Sequence, residues 1–459
     1  MSATDGLASY FGRSRRNTVL SWLFVAVLVG TVIAGVFFDR PEPVLLSVVA
    51  IVVVAAPAIA SRDPSVVAPW YFVGLVTLPI LWESFAPIPL VTEVVSSLAL
   101  ATLGLLIVVE LDRFTSLRLV PWFAVTLTVL LTLAMSGLLN VLWWSSDVVF
   151  GTTYLLDGRS QDAVNAAVMI EFIYATVAGL LAGALFYTYF RLASDTESAP
   201  TASSVPESSR SRLANENGSQ AGPETAPATD RTDTVTGESA DVEGVVLSDR
   251  LGISVRRQIG LVRFMQVALV GVLLYGLWSQ RIAVVTNAGL AIGVTFLPAL
   301  LKRDYEVVIE PGLVLWVTLA VFLHALGTAG LYDAISTWDH LTHTLSATVV
   351  AATGYAALRA VHLHSDEVNL PPWALFGALL VFMLAMSVIW EILEFFVDQG
   401  AIRLDMEPIL AQHGIDDTIV DMIFNMVGSV IVAVWGTVYL TEVSESLATT
   451  LEDLLGTRS

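Results

Sequence analysis

Apolar residues come in runs of roughly twenty, with the polar positions gathered between them. Six runs, near 17–38, 44–60, 65–82, 89–110, 119–142 and 163–190, are followed by six more near 259–278, 282–301, 307–328, 338–361, 372–397 and 417–440. At about 1.5 Å of rise per residue, helices of this length match the ~30 Å hydrocarbon core of a bilayer. The pattern predicts an all-α integral membrane protein of about twelve transmembrane helices. Between the two groups, residues 192–250 are rich in Ser, Thr, Pro, Glu, Asp and Ala without apolar periodicity, which predicts a disordered acidic linker. The expected organisation is a six-helix unit over 1–191, the linker over 192–250, a second six-helix unit over 251–445 and a tail over 446–459.

The two units read as copies. Pro57-Ala58, Arg62-Asp63 and Val66-Val67 return 241 residues later as Pro298-Ala299, Arg303-Asp304 and Val307-Val308. The same offset pairs Arg15-Arg16 with Arg256-Arg257, Gly35 with Gly276, and Arg40 with Arg281. Beyond a loop near His362–Asn369 the offset becomes 251, pairing Pro121-Trp122 with Pro372-Trp373 and Leu133-Ala134-Met135-Ser136 with Leu384-Ala385-Met386-Ser387. A tandem duplication with an even number of spans per copy predicts parallel repeats, related by an axis along the membrane normal. Arginine placement orients them. With the N-terminus cytoplasmic, the inner loops hold Arg13, Arg15, Arg16, Arg62, Arg113, Arg118, Arg191, Arg256, Arg257, Lys302, Arg303 and Arg359, against Arg40, Arg159, Arg281 and Arg403 outside. The expectation is a multi-pass protein of the cell membrane with both termini in the cytoplasm.

Composition adds three points. The chain is 55% hydrophobic and 14% charged with a mean hydropathy of +0.74, in keeping with many spans and a lipid bilayer as surroundings. Its net charge of −20, carried mainly in loops, linker and tail, with Lys302 the one lysine, suggests a salt-loving source and offers no basic face for nucleic acid. The absence of cysteine excludes disulfides, thiolate metal sites and cysteine nucleophiles.

Against that background three apolar helices carry polar residues at helical spacing. Asp339 and His343 lie at i, i+4 with His340 between them. Glu391, Glu394 and Asp398 lie at i, i+3, i+7, and Asp417, Asp421 and Asn425 at i, i+4, i+8. In the proposed topology all three groups reach the outer end of the membrane. A carboxylate at mid-bilayer costs about 2.5–3.5 kcal/mol, so this many demand the bundle interior, a wet cavity or a cation. Nitrogen and carboxylate ligands suit one divalent ion such as Zn, Mn or Fe, while an all-oxygen subset would suit Mg or Ca. The candidate ligands are Asp339, His340, His343, Glu391, Asp421 and Asn425. His324 at the end of the preceding span is a further candidate, and Glu394 or Asp417 would be the general base. The structural alternative is a hydrogen-bonded network that locks the helices together. In the first copy Leu98, Ala99 and Thr102 stand at the positions of Asp339, His340 and His343, and Asn140 and Trp143 at those of Glu391 and Glu394. That predicts one working site and a degenerate first half. Glu171 is expected to be a hydrogen-bonded interhelical acid, His362 and His364 solvated bystanders, and His413 a weaker candidate.

The motifs Phe322–Ala325 (F-L-H-A), Asp339–His343 (D-H-L-T-H), Trp390–Phe395 (W-E-I-L-E-F) and Asp417–Met422 (D-T-I-V-D-M) with Gly428 resemble the YjdF-like family of polytopic inner-membrane proteins. Asp339/His343 and Asp421/Asn425/Gly428 are more distantly similar to the paired motifs of VanZ-like proteins. The resemblance covers about residues 255–440 and implies a fold and candidate positions without a reaction. Three function classes remain: a metal-dependent hydrolase or transferase acting at the outer leaflet on a lipid or envelope precursor, an ion- or proton-coupled transporter of six-plus-six layout, and a non-catalytic scaffold or resistance factor. The bare first half speaks against the transporter, which would draw its site from both halves.

Overall fold

The computed structural model describes residues 14–85, 89–117, 119–197, 253–305, 309–364, 368, 370–410 and 412–439. Among them are twelve long helices and no strands: α1 (Arg15–Phe37), α2 (Pro41–Ser61), α3 (Trp70–Phe85), α4 (Pro89–Phe114), α5 (Pro121–Phe150), α6 (Gln161–Glu197), α7 (Val255–Ser279), α8 (Ile282–Tyr305), α9 (Pro311–Leu326), α10 (Trp338–His364), α11 (Pro372–Arg403) and α12 (Ile415–Tyr439). Eleven of the spans are long and apolar enough to cross a bilayer, α9 together with a kinked turn over Gly327–Leu331, where Gly330 takes φ 137°, and a last short turn to Ala334; α3 is apolar but only 16 residues long. This is an all-α multi-pass membrane protein. Because α6 runs on to Glu197, the first residues of the expected linker are helical; residues 198–250 and the expected tail over 446–459 lie outside the described residues.

Proline sets several starts. It occupies the first turn of α2, α5, α9 and α11, where the N–H it lacks would have had no helical partner. The turns after α1 and α7 are built alike. Asp39 and Gln280, 241 residues apart, both take positive φ (54° and 58°), and the next N–H, of Arg40 or Arg281, donates to the carbonyl of Gly35 or Gly276. A Cβ at Gly35 would fall 2.5 Å from a Val44 methyl and one at Gly276 about 3.0 Å from Val284, so each hairpin closes only over glycine. The loops after α5 and α11 also match. Asp147 accepts the N–H groups of Tyr154, Leu155 and Leu156, and Asp398, 251 residues on, those of Ile409, Leu410 and Gln412.

Neighbours repeat too. In the first six helices α1 packs on α2 and α3, α2 on α3, α3 on α4, α4 on α5 and α6, and α5 on α6, and these pairings recur six helices later; the contact of α2 with α4 does not, among the described residues. The two sets join in one bundle through α5 and α6 against α11 and α12. Leu133 and Ala134 share this core with Leu384 and Ala385, their counterparts 251 residues on. Toward the loop end of the same interface Gln161 binds Asp416 while Asn165 binds Gln412, and 161/412 and 165/416 are again 251 apart. The two contacts thus cross over between positions 251 residues apart. The burial follows this geometry: 72% of the α4 window is enclosed against 17% of that of α7, which lies at the periphery with apolar side chains facing outward.

Candidate metal centre

The centre begins at the first turns of α10. The Trp338 indole N–H donates to the Leu323 carbonyl at 3.0 Å and ties the helix start to the end of α9. From there the four-residue spacing puts Asp339 and His343 on one face, and that face lies on α12. Small residues allow the approach: a Cβ on Gly428 would sit 2.5 Å from the Thr344 carbonyl oxygen and 2.7 Å from the Ala347 methyl. Asp421, nearly two turns before Gly428, therefore meets His343. The His343 Nε2 lies 3.5 Å from Asp421 Oδ2 and 3.6 Å from Asp339 Oδ1, and one donor atom from each of the three residues falls within 4.8 Å of the others.

These spacings are long for hydrogen bonds. They are close to the roughly 3.3 Å edge of a tetrahedron of ligand atoms around an ion with bonds of about 2.0–2.1 Å. His343 and Asp421 are buried; the Asp421 carboxyl lies within hydrogen-bonding reach of that of Asp339, and its Oδ1 has no N–H or hydroxyl donor. A buried carboxylate oxygen left without a donor is expensive unless something cationic reaches it. Among the described residues the ion pairs of Asp339 and Asp421 run only to His343. Asn425, one turn after Asp421, also reaches the His343 ring.

The other candidates are placed as follows. Glu391 on α11 is fully buried; its Oε2 accepts the Gln412 side-chain N–H at 3.0 Å, and it lies within electrostatic reach of Asp339, Asp417 and Asp421. Glu394, one turn on, accepts the Trp390 indole N–H at 2.8 Å. Asp417 accepts the backbone N–H of His413 at 2.9 Å, as acidic residues do in the first turn of a helix, and is partly open to solvent. The exposed His413 ring lies 3.8 Å away in the loop, and the nearby Asp417 carboxylate holds it above the usual histidine range. Two proposed ligands are not turned to the cluster. His340 stacks on Phe424 with ring centres 4.2 Å apart. His324 sits beside His343, but Tyr332 OH and Ser346 Oγ take its two ring nitrogens at 2.6 and 3.0 Å, leaving neither for an ion. Asp398 serves the loop before α12, and His362, expected to be a bystander, accepts the Leu370 N–H.

The first half is less bare than its sequence implied. Trp144 donates to Asp416, and Asn165 and Gln161 enter the bonds at the loop end of the interface already described. Glu171 accepts from Ser136 and Asn140, both at 3.1 Å, as an interhelical acid should. Glu83 is buried with its Oε2 unpartnered. Asn165, Gln412 and Gln161 were missed because single amides carry little signal. Carrying the 251-residue offset into the last span would have paired Gln161 with Gln412 and Asn165 with Asp416.

Residues 261–442 match the model of a family described as "Predicted membrane protein (DUF2238)". That description names a membrane protein and no activity, in agreement with the YjdF-like reading of the second half. Residues 5–67 match a second model, described as "Domain of unknown function (DUF8268)". An uncharacterised protein of Thermotoga maritima is 34% identical over 116 residues, which are 25% of this chain and 56% of that protein. The chain thus spans just over half the length of the curated relative it matches. No solved structure matches.

Proposed function

We propose that Asp339, His343 and Asp421 hold one divalent cation, and that the protein is a membrane-embedded metal-dependent hydrolase or transferase. The observation that carries this is the His343 nitrogen standing 3.5 and 3.6 Å from two carboxylate oxygens on separate helices, with a buried oxygen on one of them that has no N–H or hydroxyl donor. Asn425 and Glu391 stand beside the three as outer support or a fourth ligand. The ion would supply Lewis-acid polarisation of a substrate oxygen. Asp417, partly solvent-facing, is better placed than the buried Glu394 to take a proton from water. The substrate in this reading is a lipid or envelope precursor of the outer leaflet. Metal analysis of purified wild type beside His343→Ala tests the reading: a stoichiometric ion lost in the variant is expected, and a metal-free wild type would sink it. Ion-coupled transport is the competing reading because Glu83 gives the first half a buried acid of its own; Asp421-dependent uptake of cations or protons into vesicles would decide for it.

Two further parts belong to this proposal. The halves descend from one six-helix unit, supported by the matched hairpins, the paired loop aspartates and the reciprocal amide contacts. The Asp339, His343 and Asp421 cluster lies at the side facing away from the cytoplasm, supported by the arginine asymmetry. The cysteine-free chain allows a direct check of orientation. Thr153→Cys in the loop before α6 should react with an impermeant maleimide in intact cells, and Ser254→Cys only after lysis; the reverse pattern inverts the topology.

A further inference from the structure

A directed chain of hydrogen bonds crosses from the first half to the centre. Thr418 Oγ1 donates to Asn165 Oδ1 at 3.0 Å, Asn165 Nδ2 donates to Gln412 Oε1 at 2.8 Å, and Gln412 Nε2 donates to Glu391 Oε2 at 3.0 Å. Every donor points toward the carboxylate. Thr418 and Glu391 are fully buried and Asn165 is 5% exposed, so water offers these groups little substitute. The backbone N–H of Gln412 is itself held by Asp398 at 3.0 Å, which fixes the residue at both ends.

The order of donors has a consequence. Asn165 presents an N–H to Gln412, so the Gln412 amide must turn its oxygen toward Asn165 and its NH2 toward Glu391. The opposite amide orientation would set an oxygen against the carboxylate. With Oε2 engaged by Gln412 and the Thr418 hydroxyl beside the carboxyl, Glu391 is held within electrostatic reach of Asp339 and Asp421. The equivalent relay is missing from the first half. There Gln161 pairs with Asp416, and Asn140, at the position of Glu391, is spent on Glu171. One arm of a near-symmetric contact has become a relay and the other has not.

We propose that Asn165, contributed by the first half, is a positioning residue that through Gln412 fixes the orientation of the Glu391 carboxyl behind the metal centre, so that the site is supported across the two halves. This rests on the metal reading of Asp339, His343 and Asp421 for its effect on affinity, but not for the orientation of Glu391. Outer-shell partners of this kind typically contribute about 10- to 100-fold to metal affinity.

The full chain is tested in lipid nanodiscs with Mn²⁺ alone as probe, read by electron paramagnetic resonance, and with infrared spectroscopy of the Glu391 carboxyl band, assigned by its loss in Glu391→Gln. In Asn165→Leu the band should shift and Mn²⁺ affinity fall about tenfold or more. Gln161→Leu removes comparable cross-half bonds outside the relay and should leave the band in place and affinity within about twofold. If Asn165→Leu does not fold, Gln412→Met breaks the same chain from the other side with a side chain of similar length. A band unmoved by breaking the relay, or moved equally by Gln161→Leu, would overturn the proposal. A wild type that binds no Mn²⁺ would remove the metal reading, while the infrared comparison would still decide whether Asn165 orients Glu391.

Discussion

Asp421→Asn should empty the metal centre and at the same time make the metal-free protein more stable. The two effects share one cause. In the folded chain the Asp421 carboxylate is 3% exposed, Oδ2 faces His343, Oδ1 has no N–H or hydroxyl donor, and Asp339 and Glu391 add negative charge nearby. An ion offsets that arrangement; without one it is strained. The asparagine amide keeps the shape, carries no charge and can donate a hydrogen bond to the carboxylates around it. Relief of an unsatisfied buried acceptor is worth about 1–3 kcal/mol, and loss of an anionic ligand should lower affinity at least a hundredfold. The measurements are metal content after purification and thermal unfolding in chelated buffer, wild type beside variant. A structural polar network predicts the opposite, because replacing an acid that locks helices would lower stability with or without metal. Such an exchange of stability for function is common at working sites. A variant that keeps its metal would eliminate Asp421 as a ligand.

Much of the architecture was legible because membranes simplify the code. Twenty-residue apolar runs have few alternatives in lipid, where the backbone must satisfy itself. The helices therefore fall close to the expected spans, and the offsets of 241 and 251 anticipated matching hairpins at Gly35 and Gly276. The face shared by Asp339 and His343 was readable from i, i+4 spacing alone. The rotation of each neighbouring side chain was not. His340 is the immediate neighbour of Asp339, yet helical geometry swings it about 100° around the axis and onto Phe424. His324 lies at the right depth, but its ring nitrogens are taken by Ser346 of α10 and by Tyr332, which follows a kinked turn at Gly327–Leu331 that apolar periodicity does not announce. The first half reads as bare because it lacks charged residues and histidines at the positions of the second-half cluster. Its contribution, through Asn165 and Gln161, is made by amides whose importance depends on which helix end they meet.

Gly428→Leu should abolish metal binding from a distance, through the packing of α10 on α12. The ideal Cβ at Gly428 lies within 2.5–3.2 Å of the Thr344 carbonyl oxygen, the Ala347 Cβ and the Thr348 backbone nitrogen. Two of these are backbone atoms and the third is attached directly to it, so no flexible side chain can move aside; the helices must part. Overpacking of this kind costs typically about 1–3 kcal/mol, with the larger side chain at the upper end. Thr344 follows His343, and Asn425 and Asp421 lie one and two turns before Gly428, so the displacement falls on the 3.5 Å spacing between Asp421 and His343. Gly428→Ala should weaken binding and lower the unfolding midpoint, and Gly428→Leu should do both more severely. Gly271→Ala on α7 is the control, since nothing lies within 4 Å of its Cβ and alanine favours the helix by roughly 0.8–1.0 kcal/mol. If Gly428→Leu folds with unchanged midpoint and full metal content, α10 and α12 are not held together at this point, and the centre does not depend on their contact.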